Sequence, residues 1–161
     1  MKNKGFSLVE LIIVIAIMAI LAAAIAPALI RYIDKSRRSD DVAAAETLNT
    51  ATQAAFSNED AYDEVQGRFP STASGETALA SASEGGTFAM IGASAPTFIN
   101  EVNSSCGNKA PSFKYKKNGA NKWVIGANGA GKPVVWVSGS KVKGGASGSV
   151  ELQPSIDKSY K

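Results

Sequence analysis

From Leu11 to Ala26 every residue is apolar, and Pro27-Ala28-Leu29-Ile30 prolongs the run to twenty positions. Wound as an α-helix, such a run is about 30 Å long, the thickness of the hydrocarbon core of a bilayer. One carboxylate, Glu10, stands at its head. An acid within an apolar spanning helix costs roughly 2.5–3.5 kcal/mol on insertion scales, so it asks for a function. Two plainer explanations compete: Glu10 lies near enough the end to reach water, or it occupies the first helical turn, where the dipole favours an anion.

Three kinds of N-terminal segment have this outline. A cleaved secretory signal needs a basic start, about 7–15 apolar residues and a small-x-small cleavage site. Ala24-Ile25-Ala26 has the right spelling, but the run is longer than that norm, and Pro27 would follow the cut. A simple membrane anchor explains the length and the flanking Lys2 and Lys4, and leaves Glu10 unexplained. A precursor trimmed of only its first few residues accounts for more.

Gly5-Phe6-Ser7-Leu8-Val9-Glu10, preceded by the basic stretch Met1-Lys2-Asn3-Lys4, resembles the processing site of type IV prepilins and the related type II secretion pseudopilins. The pattern demands Gly, then an aromatic residue, then Glu at a fixed offset, at the head of an apolar run with a proline near its far end, here Pro27. The resemblance implies that a membrane aspartic peptidase, the prepilin peptidase, cuts between Gly5 and Phe6 and N-methylates Phe6. It also implies that Glu10 pairs with the N-terminal ammonium of a neighbouring subunit during assembly. Both charges are costly in hydrocarbon and cheaper together.

Beyond Ile30 the chain has no Gly or Pro from Ala28 to Asn58, and it places Leu29, Ile33, Val42, Ala45, Leu48, Thr52, Ala55 and Phe56 mostly three or four apart. The spacing predicts one helix from about Ser7 to Phe56, bent at Pro27, whose missing N–H removes one hydrogen bond. Its exposed side is expected to carry Arg31, Lys35, Arg37, Arg38, Asp40 and Asp41. Ser57 to Pro111 opens with Glu59, Asp60, Asp63 and Glu64, read as a solvated face because the ordered spacing of a calcium loop is absent. Short helices are expected near Glu76 to Ser83 and Pro96 to Val102.

From Ser112 the period changes to two. "SFKYKKN", "NKWVIGA", "PVVWVSG" and "SVELQ" read as four strands, with Asn118-Gly119, Asn128-Gly129 and Gly144-Gly145 as turns. The expected fold is α+β: a long N-terminal helix packed against a four-stranded antiparallel sheet, the architecture the resemblance also implies. The domain reading is a leader of 1–5, an apolar helix of 6–30 that spans the membrane before assembly, and a head of 31–161. The head comprises helix 31–56, a connecting region 57–111, and sheet and C-terminal segment 112–161.

Several chemistries fall away. There is no histidine and a single cysteine, Cys106, so His-based catalysis, His–metal sites and an intrachain disulfide are excluded; neither metal nor cofactor is expected. Family members often close their C-terminal loop with a disulfide. Its absence points to a pilin of Gram-positive type whose last segment, "GSVELQPSIDKSYK", is held by pairing and packing. Gly126 to Lys132, "GANGAGK", has the spacing of a phosphate loop, but Pro133 replaces the required Ser or Thr and a strand follows, so it reads as a hairpin turn. Asn103-Ser104-Ser105 matches a glycosylation acceptor by spelling alone.

The resemblance implies a non-enzymatic major pilin. Its partners would be further copies of itself, the prepilin peptidase, the pilus assembly machinery and, before assembly, the cytoplasmic membrane, which it would cross once. Afterwards it would form an extracellular pilus serving adhesion, twitching motility or aggregation. Alternatives are a minor pilin or pseudopilin and, from another class, a membrane-tethered enzyme or binding module. Nucleic acid is disfavoured. The formal charge of +3 falls to +1 once Lys2 and Lys4 leave with the leader, and Lys114, Lys116, Lys117, Lys141 and Lys143 are scattered.

Overall fold

The computed structural model describes residues 7–139 and 149–160. Two compact units divide the chain, Met1–Ser36 and Arg37–Lys161. Helix α1, Leu8–Phe56, contributes to both and runs unbroken through Pro27. Strong helix formers such as Ala, Leu, Met, Glu and Arg fill it, and no glycine interrupts it.

In the second unit α1 buries Asp41, Ala45, Leu48, Ala51, Thr52 and Ala55. Steps of three and four keep these on one face, and their small size lets other elements approach the backbone closely. The Thr52 hydroxyl is satisfied within the helix, donating to Leu48 O at 2.8 Å. Asn58 then caps α2 (Glu59–Gln66), its side chain accepting from Ala61 N at 3.3 Å. Glu59 and Asp60 occupy the first turn, where the dipole favours them.

A five-stranded antiparallel sheet follows: β1 (Glu76–Ser83), β2 (Ala89–Met90), β3 (Ala120–Asn128), β4 (Pro133–Gly139) and β5 (Ser149–Gln153), in spatial order β2-β1-β3-β4-β5. Helix α3 (Pro96–Ser105) lies between β2 and β3 in sequence, and a 3-10 turn, Lys158–Tyr160, ends the described chain. Leu48 and Ala55 of α1, Val65 of α2, Leu79 of β1, Phe98 of α3, and Trp123 and Ile125 of β3 share one core. Phe113 stacks on Trp123 with ring centres 4.4 Å apart. The indole nitrogen of Trp123 donates to Pro111 O at 2.8 Å, so the polar end of this buried ring is satisfied.

Two expectations are corrected. Glu76–Ser83, expected to be helical, is a strand paired with β3 from Glu76↔Asn128 to Ser83↔Lys122. Its Ala and Ser side chains give little contrast between faces, so tertiary pairing overrides a weak helical preference. A bulge between Ala78 and Ala80 allows Leu79 and Ala80 both to be buried. Small residues are also required opposite: a Cβ on Gly126 would fall 2.0 Å from Thr77 O and 2.9 Å from the Trp136 ring. Conversely, Ser112–Asn118, read as the first strand of four, belongs to no strand. Its side chains alternate as expected, with Phe113 buried and Lys114 and Lys116 exposed. However, its amides bond elsewhere, Lys114 N to Asp41 Oδ1 at 2.7 Å and Tyr115 N to Asp41 Oδ2 at 3.1 Å.

The other expected elements stand. α3 covers Pro96–Ser105, β3, β4 and β5 match the remaining three runs, and the "GANGAGK" stretch ends β3 and turns into β4. At that turn the Asn128 side chain accepts from Ala130 N and Lys132 N, and Gly131 supplies a positive φ of 72°.

Candidate functional site: the N-terminal helix

The first turn of α1 is closed by a reciprocal pair. Ser7 Oγ accepts from Val9 N at 3.3 Å, while Glu10 Oε2 accepts from Ser7 N at 2.9 Å. This is the S-x-x-E capping arrangement, which satisfies amide donors that the helix itself cannot. Glu10 therefore sits where the helix dipole favours an anion. A carboxylate offers roughly four acceptor positions, so the bond from the Ser7 amide leaves it capacity for a cation or a further donor.

From Leu8 to Ile33 no side chain is buried; Leu8 is 72%, Ile20 70% and Leu29 53% exposed. The segment is long and apolar enough to cross a membrane. Monomeric soluble proteins rarely expose contiguous apolar surface on this scale, which marks it as a surface for lipid or for other protein. Within it, Pro27 carries no amide hydrogen, so the carbonyl of Ala23 lacks its usual helical donor. Gly5 and Phe6, with the basic residues ahead of them, lie outside the described residues, as do Lys141, Lys143 and Gly144-Gly145.

Reading the sequence missed the cluster around Asp41. Expected on the exposed side of α1, this residue is fully buried. Besides the amides of Lys114 and Tyr115, its carboxylate accepts from the Tyr160 hydroxyl at 2.7 Å. The Arg38 guanidinium lies 4.5 Å from the centre of the Tyr115 ring and donates to the Tyr115 hydroxyl at 2.9 Å. Burial, and then the carboxylate accepting its proton, hold the Tyr160 phenol well above its ordinary range. One signal was available: Asp41 stands four residues before Ala45 and so continues the buried stripe of α1. The far end of the chain is thereby held to α1 without a disulfide, and β5 pairs with β4 from Val135↔Gln153 to Ser138↔Ser149.

Two other polar groups have structural partners. Glu64, expected on a solvated face, reaches α3: its carboxylate accepts from Phe98 N at 3.0 Å and Thr97 N at 3.2 Å. The bond from Phe98 N is the main reason its carboxyl is held below the usual range. Because Ala95, the residue preceding α3, offers no side-chain cap, Glu64 supplies from another helix what α3 lacks. Asn103, of the apparent glycosylation tripeptide, accepts from Phe88 N at 2.8 Å and donates to Phe88 O at 3.1 Å, so both ends of its amide are engaged.

One comparison with known proteins bears on the N-terminal helix. The family model for the prokaryotic N-terminal methylation motif matches residues 1–26. The type IV major pilin protein PilA of Myxococcus xanthus (strain DK1622) is 40% identical over 63 residues, which cover 39% of this chain and 29% of that protein. The matched stretch thus spans less than a third of the relative's length. No solved structure gives a significant match. The methylation motif and the 40% identical match to a type IV major pilin support a type IV pilin.

Proposed function

We propose that the protein is a structural subunit, the major pilin, which polymerises into a type IV pilus. One observation carries the reading: the apolar helical surface exposed from Leu8 to Ile33 lies for most of its length inside the match to the methylation motif, residues 1–26. Likeness to a structural pilin favours an assembly role over catalysis. The apolar helix and that likeness are consistent with membrane anchoring and a pilus at the surface.

In this reading residues 1–5 are a leader, removed by a prepilin peptidase between Gly5 and Phe6, and Phe6 is N-methylated. The helix of 6–30 crosses the cytoplasmic membrane once, with the head of 31–161 outside. Extraction into the fibre exchanges lipid for the same surface of other copies, protecting apolar area worth roughly 25 cal/mol per Å². Glu10 pairs with the ammonium of a neighbour's Phe6. Its bond to Ser7 N holds the carboxylate at the helix start, where that ammonium arrives. The pilus assembly machinery would supply the work of extraction. Adhesion, motility and aggregation are the roles such a fibre would serve.

Mass spectrometry of material sheared from cell surfaces tests the proposal. We expect abundant filaments whose subunit begins at N-methylated Phe6. A Gly5→Arg variant should retain Met1, stay in the membrane fraction and yield no filaments. A wild-type chain that keeps Met1 and never leaves the membrane would overturn the reading in favour of a tethered module.

A further inference from the structure

Near the start of its α1 segment, the second unit carries an open groove of about 670 Å³ lined by Arg37, Asp40, Phe113, Lys114, Lys116 and Lys117. Four of the six lining side chains are cationic. Asp40 offsets one of these charges, Glu84, 3.0 Å from Lys116 Nζ, shares another, and Lys117 has a partner of its own, so the positive surplus of the groove is carried by Arg37 and Lys114. Arg37 and Lys114 are both exposed.

Beyond the other end of the same α1 segment lies the opposite charge. Arg37 to Phe56 is about 30 Å of helix at 1.5 Å per residue, and α2 begins three residues later with Glu59 and Asp60, joined by Asp63. All three are exposed. Asp63 accepts from Gln66 at 2.6 Å, a bond from a neutral group that leaves its charge in place. Among the described residues no ion pair neutralises Glu59 or Asp60.

We propose that the Arg37–Lys114–Lys116–Lys117 groove docks the Glu59–Asp60–Asp63 turn of a second copy of this chain, so that heads pair end to end. The inference rests on the pilin reading and names the head surface through which copies would meet. Complementary patches at two different places on one molecule form a heterologous contact. Where the rotation between copies does not close a ring, such a contact propagates as an open helical filament. It also fixes polarity, because groove meets groove, or turn meets turn, only with like charges opposed. A second copy fits better than a nucleic acid. Asp40 within the groove and Glu84 beside Lys116 leave few cations over, too few for the run of phosphates that a nucleic acid presents but enough for a small cluster of carboxylates.

Charge reversal in the full-length chain, expressed in cells, tests the proposal. Arg37→Glu/Lys114→Glu should lower filament recovery roughly tenfold, and Glu59→Lys/Asp60→Lys should do the same. Mass spectrometry should show each membrane-held chain still beginning at methylated Phe6. The expected result is that the four-fold variant, with both patches reversed, regains most of the parental yield. Raising the salt during shearing should weaken parental and doubly reversed filaments alike, since the Debye length falls to about 3 Å at 1 M. Parental yields from either two-site variant, or a four-fold variant as poor as its parents, overturns the proposal. So does loss of DNA or anionic-vesicle binding from the Arg37→Glu/Lys114→Glu chain at unchanged filament yield, since the groove would then serve another partner. Failure of the parental chain to form filaments while keeping Met1 would instead defeat the pilin reading itself, and this contact with it.

Discussion

At the scale of single residues, Asp41 illustrates how a buried charge becomes tolerable. Its carboxylate accepts three hydrogen bonds, two from backbone amides and one from Tyr160, so the cost of desolvating it is offset by donors that would otherwise be unpaired. Removing the acceptor alone orphans all three. Asp41→Ala should therefore cost about 3–5 kcal/mol, whereas Tyr160→Phe, which deletes one charge-assisted bond, should cost about 1.5–3 kcal/mol. Thermal denaturation of the detergent-solubilised chain, followed by near-UV circular dichroism, checks both. The phenol also sets a pH dependence. Its folded pKa is raised, so its contribution is complete below the ordinary tyrosine value near 10 and is lost as pH rises through the folded value. Wild type should lose stability in strong alkali that Tyr160→Phe never had; equal alkaline losses would exclude the Asp41–Tyr160 bond as their source.

At the scale of elements, the helices and the sheet are joined through their ends. α3 begins without a cap of its own and takes the carboxylate of Glu64 from α2. Because that carboxyl is held below its usual value, its contribution is present above the ordinary glutamate pKa near 4.3 and is lost as pH falls through the folded value. Melting temperature measured against pH should fall in that acidic window for wild type and be flatter there for Glu64→Gln. A parallel decline in the two proteins would show that the cap carries no weight. The sheet has a similar logic. β1 joins it because Gly126 lets Thr77 approach, and the 112–118 stretch stays out because Asp41 holds its amides. Alternation of side chains along "SFKYKKN" was legible; whether its amides met a strand or a carboxylate was not, because the carboxylate lies more than seventy residues away.

At the scale of the whole molecule, α1 has two parts of different character. Its first part offers apolar side chains on every side, and its second part buries one stripe of mostly small residues. Pro27 lies in the first part and costs an α-helix about 3 kcal/mol relative to Ala. In the pilin reading this weakness lets the helix loosen while it leaves the membrane. Pro27→Ala should restore the missing hydrogen bond and shift processed subunit from the sheared fraction to the membrane fraction. Quantitative immunoblotting of the two fractions measures the ratio, and an unchanged ratio would remove Pro27 from the extraction step.

What the sequence determined by itself was local. An unbroken apolar run needs no distant partner to be helical, the Gly5–Glu10 pattern is contiguous, β5 announces itself through alternation, and β3 and β4 do so as short apolar runs rich in Val, Ile and Trp bounded by Asn-Gly and proline. The tertiary structure alone decided what depends on residues far apart. It put Asp41 beneath Tyr160, 119 positions later, made a strand of the low-contrast "ETALASAS", and turned Glu64 onto α3. Each of these is a backbone or side-chain hydrogen bond satisfied across the fold, and such bonds leave no period in the sequence because their partners are set by packing rather than by spacing.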